Sequence, residues 1–377
     1  MILANAELVL PAEVFRGALW IEDGRISDIT RGGAVPDGAE DLRGDLLVPG
    51  LIDLHTDHLE KHLVPRPGTV WHAMSAAMAH DAPVISAGIT TVFDSLALAG
   101  LKNGIDRGTI LAPMLEGLAE ARRHGALRAD HLVHLRCELT EPDILDRVAR
   151  HGDAPEVRML SLMDHGPGAR QFPDPAVWMA RQRAATGLSE AGLIALRDQR
   201  LAARASFVDT HRAEVARFAA ERGLVVASHD DATAAHIEEV LALGACIAEF
   251  PTTAIAARAA RAGGMRVLMG APNLVRGGSH VGNLSAGDCA RAGLLDLLAS
   301  DYVPSSLAQA ALLLTRDPFG WSLPAAFATV TANPAAVAGL SDRGAILPEL
   351  RADLLRLARV GDVPVVRAVW CRGVRVN

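Results

Sequence analysis

Lysine is nearly missing from this chain of 377 residues: Lys61 and Lys102 are the only two, and the other 35 cationic side chains are arginine. Asp and Glu number 44 against 37 Lys and Arg, a formal charge of −7 that excludes the basic stripe needed for non-specific nucleic-acid binding. Aromatic residues are also scarce, at 4%. No apolar run reaches the roughly 18 to 20 uncharged residues that span a bilayer. The N-terminus lacks the basic segment, apolar stretch and small-residue cleavage site of a secretory signal, so a soluble, cytoplasmic protein is expected. The four cysteines, Cys137, Cys246, Cys289 and Cys371, include no CxxC pair. That pattern excludes a disulfide framework and a zinc ribbon and leaves buried, reduced thiols. What the chain has is apolar mass, with half of its residues hydrophobic and 21% charged, enough for a large core and incompatible with disorder.

The pattern changes along the chain. Short alternating segments at 6–10, 17–22 and 25–29, with Asp23-Gly24 between the last two, predict strands joined by a hairpin turn. Segments 353–357 and 363–376 have the same character, and the two ends are expected to pair into one sheet. Between them, eight apolar runs alternate with alanine-rich helical stretches: 51–54, 88–94, 131–139, 157–163, 223–228, 245–250, 266–269 and 294–300. Such alternation predicts parallel βα units, and eight in about 290 residues match an α/β fold of the (β/α)8 barrel type, with its chemistry at the C-terminal strand ends. An open doubly wound sheet is the alternative, but no GxGxxG follows the first run. The expected organisation is a small β unit from 1–50, a barrel over 51–340, and the rest of the β unit from 341–377. The widest gap, 164–222, carries helical segments at 189–204 and 207–221 and has room for a lid or an insertion.

The residues that close these runs share a chemistry. Run one ends in His55-Thr56-Asp57-His58, run three in Arg136-Cys137-Glu138, run four in Asp164-His165, run five in His229-Asp230-Asp231, run six in Glu249, run seven in Asn273 and run eight in Asp301. On a barrel these meet at one mouth. Imidazole and carboxylate groups from several strands suit zinc or another divalent ion, with manganese, iron and cobalt also compatible. His55 and Asp57, two residues apart, lie on the same face of a strand. A lone strand-terminal His or Asp more often caps a loop, but five strands ending this way favour a metal centre with His55, Asp57, Glu138, His165, His229 and Asp301 as ligands. His58, Asp230 and Asp231 fit orienting or substrate-contacting roles better.

Val48-Pro49-Gly50-Leu51-Ile52-Asp53-Leu54-His55-x-Asp57 resembles the opening motif of the amidohydrolase superfamily. Thr331-Ala332-Asn333-Pro334-Ala335, Asp342-Arg343-Gly344 and Ala352-Asp353-Leu354 resemble its closing segment. The resemblance implies a TIM-like barrel with a small β-sandwich built from both termini, and one or two divalent ions that activate a water. Two departures stand out. Asp57 replaces the second histidine of HxH, and neither lysine lies after the fourth strand, where many relatives carry a carboxylated lysine between two metals. The resemblance then points to Glu138 as the bridging carboxylate.

A closer resemblance is to the PhnM family of the carbon–phosphorus lyase pathway. It rests on 55–62, Pro65-Arg66-Pro67-Gly68, Met163-Asp164-His165 with Pro167-Gly168 and Arg170-Gln171-Phe172, Ser228-His229-Asp230-Asp231, Gly270-Ala271-Pro272-Asn273, 276–280 and Ser300-Asp301-Tyr302. It implies metal-dependent hydrolysis of α-D-ribose 1-methylphosphonate 5-triphosphate to the 5-phosphate and pyrophosphate. Asp301 would act as general base and His229 as the second catalytic group. A triphosphate approaching an acidic protein needs local cations at the mouth, and Lys61, His62, Arg66, Arg170, Arg276 and His280 lie on strand-following loops where they would serve. A cyclic-amide hydrolase or deaminase of the same superfamily is the rival enzyme, and a metal-free scaffold subunit the rival of another class. A homodimer is the default assembly.

Overall fold

The computed structural model describes residues 1–377 other than 103, 104, 280, 281 and 362, with 101, 102 and 185 described by their backbone alone. His280, expected to bind substrate, lies outside the described residues.

Eight parallel strands form the barrel: Leu51–Thr56, Ile89–Ala97, Asp130–Glu138, Val157–Met163, Val225–His229, Ile247–Glu249, Arg266–Gly270 and Leu297–Ala299. Each coincides with one of the eight apolar runs, because a strand covered on both faces has no polar side to alternate with. The ring closes between its first and last strands through a parallel bridge of Thr56 to Asp301, with Asp301 N–H donating to His55 O at 2.9 Å. Buried Asp53 reinforces this seam by accepting from the backbone N–H and the hydroxyl of Ser300. Burial dominates its electrostatics and pushes its pKa up to about 6.

The terminal strands make one continuous eight-stranded mixed sheet rather than two separate ones. It includes Ile2–Val9, Val14–Glu22 and Arg25–Arg31 from the N-terminus, and Leu354–Val360 and Val363–Cys371 from the C-terminus. Asp23 and Gly24 turn the hairpin with φ of +48° and +74°, a pair that Asp-Gly tolerates. Leu3, Leu19, Ile26, Leu47, Leu354 and Trp370, drawn from both ends of the sheet, share one buried core. The sheet meets the start of the third barrel strand at Asp130, whose carboxylate accepts from Arg343, Arg351 and Arg372 at 2.6 to 2.9 Å. The Asp342-Arg343-Gly344 motif is thus part of the joint between sheet and barrel.

The segment after the fourth strand differs from expectation. A helix at Pro175–Thr186 is followed by a single 33-residue helix, Glu190–Arg222, where two helical segments were expected. No Pro or Gly lies between 204 and 207 to break it. This long helix braces the barrel mouth: Arg204 Nε donates to Asp164 at 2.8 Å, Arg200 pairs with Glu141 at 2.7 Å, and His211 Nδ1 reaches Leu139 O at 2.9 Å.

Among the described residues no helix is long and apolar enough to cross a membrane. Cys137, Cys289 and Cys371 are buried, Cys246 is partly so, and all four are free thiols.

Candidate metal centre

The third strand sets the depth of the site. Its period of two turns His134, Arg136 and Glu138 to one face, successively higher towards the mouth. Across from them the fifth strand ends in His229 and the sixth in Glu249.

Glu249 is fully buried and spans two imidazoles, with Oε1 2.7 Å from His55 Nδ1 and Oε2 2.6 Å from His229 Nδ1. Burial would raise its pKa, but the facing rings of His55, His134 and His229 outweigh that and hold it well below the carboxylate range. Glu249 therefore accepts from both Nδ1 atoms, which fixes the tautomer and leaves each Nε2 as the atom that could bind a metal. The His55 and His229 rings lie stacked at 6.1 Å between centroids. Phe250 closes on both edge-on, at 5.0 and 5.6 Å.

A second group adjoins the first. His165 Nδ1 contacts Glu138 Oε2 at 2.7 Å, while Oε1 of Glu138 accepts from the hydroxyl of Thr140 and the backbone N–H of His165. Oδ2 of Asp230 lies 3.4 Å from His165 Nε2 and 3.5 Å from His229 Nε2. Burial opposes charge on His165, but Glu138 and Asp230 prevail and raise it to about 9. His165, His229 and Asp230 have ligand atoms within 4.8 Å of one another.

Asp301 completes the mouth. Its amide and carbonyl are tied to His55 and Asp57, and its pKa is raised, first by burial and then by Asp57, against the pull of His55, Arg136 and His229. Asp230, Phe250 and Asp301, which follow the fifth, sixth and eighth strands, have φ of +57°, +54° and +55°. Aspartate tolerates the left-handed region as a single residue, so of the three only Phe250 is held in a backbone conformation unfavourable to its side chain.

The expected cations separate. Lys61 is exposed and donates to Tyr302 O at 3.5 Å, beside Asp301. Arg66 lies in an exposed turn, and Arg276 is exposed after the short helix Ala271–Val275 that rises from the seventh strand. His62 instead turns to His58, Nε2 to Nδ1 at 3.3 Å. Arg170 is also committed elsewhere: it is 4% exposed and ion-paired to buried Asp231 and to Glu239 at 3.0 Å, so it clamps the loop after the fourth strand to the fifth. Its guanidinium is thus turned to Asp231 and Glu239, whereas Lys61, Arg66 and Arg276 are exposed.

The donor set fits a divalent ion. Imidazole Nε2 atoms held from behind by a carboxylate, facing further carboxylates, are the ligands that zinc and its neighbours take. Strand-end reading passed over three residues as site components. Glu249 was visible as the end of run six but had no assigned partner, His134 lay one step inside its run, and Arg136 Nε is buried without a hydrogen-bond partner among the described residues. The period of two back from Glu138 was the available signal for the last two.

No family model matches the chain. It is 42% identical, over 377 residues and the full length of both chains, to an Escherichia coli K12 protein, the alpha-D-ribose 1-methylphosphonate 5-triphosphate diphosphatase. Among solved structures it resembles a 5-methylcytosine deaminase from Klebsiella pneumoniae, with a TM-score of 0.67 at 15% identity over 100% of this chain and 97% of that one. It also resembles an N-acetyl-D-glucosamine-6-phosphate deacetylase from Mycobacterium smegmatis, with a TM-score of 0.66 at 18% identity over all of both chains. At those identities the two structures speak to the fold alone.

Proposed function

Because the chain belongs to the family of the α-D-ribose 1-methylphosphonate 5-triphosphate diphosphatase, the PhnM family within the amidohydrolase superfamily, we infer that it hydrolyses this triphosphate to the 5-phosphate and pyrophosphate in phosphonate catabolism. The observation that carries the reading is the full-length match to the diphosphatase.

In this reading His55, Asp57, Glu138, His165, His229 and Asp301 are the metal ligands, with Asp230 added from its position between His165 and His229. When bound, a divalent ion of the zinc, manganese, iron or cobalt class supplies a water whose pKa is lowered towards about 7 and neutralises charge on the phosphoryl oxygens. Asp301 takes the proton of the attacking water, a task suited to a carboxylate whose burial raises its affinity for protons. Glu249 holds His55 and His229 by their Nδ1 atoms and so fixes the angle at which their Nε2 atoms present. Arg136, below Glu138 on the inner face, adds a cation where Asp230 and Asp301 would otherwise repel an anion. Lys61, Arg66 and Arg276, exposed on loops and helix ends that follow barrel strands, would bind the distal phosphates.

Pyrophosphate release tests this directly. Protein stripped by a chelator should lose it and regain it on addition of Zn, Mn, Fe or Co, whereas full activity after verified removal of metal would sink the metal-dependent reading.

A further inference from the structure

We propose that His58, His62 and His80 form a second divalent-metal site, of the class that takes zinc or cobalt, built on the helices that follow the first barrel strand and sharing no ligand with the strand-end centre. His58 immediately precedes the helix Leu59–Leu63, with helical backbone angles, and His62 lies on it, a spacing of four that puts both rings on one face. His80 comes from the next long helix, Ala73–Ser86. Ligand atoms of the three lie within 4.8 Å of one another. The ring centroids of His58 and His62 are 5.9 and 5.7 Å from that of His80.

His80 supplies the independent observation. It is completely buried, and its Nε2 is committed to Asp94 Oδ1 at 2.6 Å. Its Nδ1 is buried with no hydrogen-bond partner among the described residues. Asp94 is fixed in turn, since its other oxygen contacts His131 Nδ1 at 2.8 Å, and His131 Nε2 reaches Asp81 at 3.3 Å. A carboxylate that accepts a hydrogen bond from Nε2–H leaves the Nδ1 lone pair of His80 without a donor, and buried polar atoms left this way call for an explanation. Carboxylate, histidine and metal in line is the arrangement that orients imidazole ligands in metal sites. His58 and His62 are half-buried, so the site opens to solvent on one side and has room for water or an anionic oxygen in a fourth position. Neutral imidazoles without thiolates favour Zn(II) or Co(II) over Mg(II).

The test counts metal and does not depend on turnover, so it fails or succeeds independently of the diphosphatase reading. Metal-stripped protein is equilibrated with Co(II), freed of excess, and its cobalt measured by mass spectrometry, with circular dichroism to check folding. Wild type should hold one equivalent more than His58→Ala/His62→Ala, and His55→Ala/His229→Ala should keep that equivalent. His62→Cys should add a thiolate-to-cobalt charge-transfer band in the near ultraviolet, which a merely structural histidine would not produce. Equal cobalt in wild type and folded His58→Ala/His62→Ala would overturn the proposal, as would a folded, cobalt-loaded His62→Cys without the band.

Discussion

Oε2 of Glu249 lies 2.6 Å from Nδ1 of His229, and its other oxygen serves His55 in the same way. One buried carboxylate thereby sets the orientation of imidazoles from two strands that are not neighbours in the barrel. Glu249→Gln keeps the shape but offers only one acceptor oxygen, so one of the two rings loses its support. Loss of such outer support typically costs about 10- to 100-fold in metal affinity. Competition with a coloured chelator should show a fall of that order, and unchanged affinity would remove Glu249 from the centre.

Asp301→Asn removes the proposed base while leaving its backbone ties to His55 and Asp57 in place. Steady-state rates should fall by at least the roughly 10²- to 10⁴-fold that general bases contribute. Circular dichroism should be unaltered, and near-normal turnover would exclude Asp301 as base.

Arg170→Ala leaves Asp231 buried and without its cation. Removing one partner of a buried pair costs about 3–5 kcal/mol. Urea unfolding should register a loss of that size, whereas a change below about 1 kcal/mol, typical of exposed pairs, would show that the clamp is dispensable.

His131, between Asp94 and Asp81, carries a pKa of about 9: burial would lower it, and Asp94 and then Asp81 raise it. A histidine whose folded pKa exceeds the ordinary 6.5 contributes stability that is fully present below pH 6.5 and lost as pH rises through about 9. The stability gap between wild type and His131→Gln should therefore be widest near pH 6 and narrow as pH approaches 9 to 10. At roughly 1.4 kcal/mol per pKa unit the narrowing amounts to a few kcal/mol. Denaturant titrations at several pH values would measure it, and a constant gap would contradict a charged His131.

Much of this arrangement was legible in the sequence because its signals are local. A buried parallel strand announces itself as a short apolar run, and a strand-terminal His or Asp stands next to the run that positions it. What was not legible depends on pairs brought together only by closure of the ring. Glu249 ends a strand of three residues, and nothing near it in sequence indicates His55, 194 positions away. Arg170 reads as a free loop cation until Asp231, 61 residues on, is folded against it. His80 sits inside a helix, where its burial against Asp94 has no local trace. The long helix differs for another reason: the segments 189–204 and 207–221 are separated only by Ala205 and Ser206, and without Pro or Gly there the backbone continues as one helix.

Phosphorus NMR of the metal-supplemented protein incubated with α-D-ribose 1-methylphosphonate 5-triphosphate, with ATP as the parallel substrate, tests the central claim most directly. The account predicts pyrophosphate and the 5-phosphate from the first and little turnover of the second. An unchanged triphosphate spectrum in the presence of bound metal would contradict it and turn attention to cyclic amides and amines as substrates for the same centre.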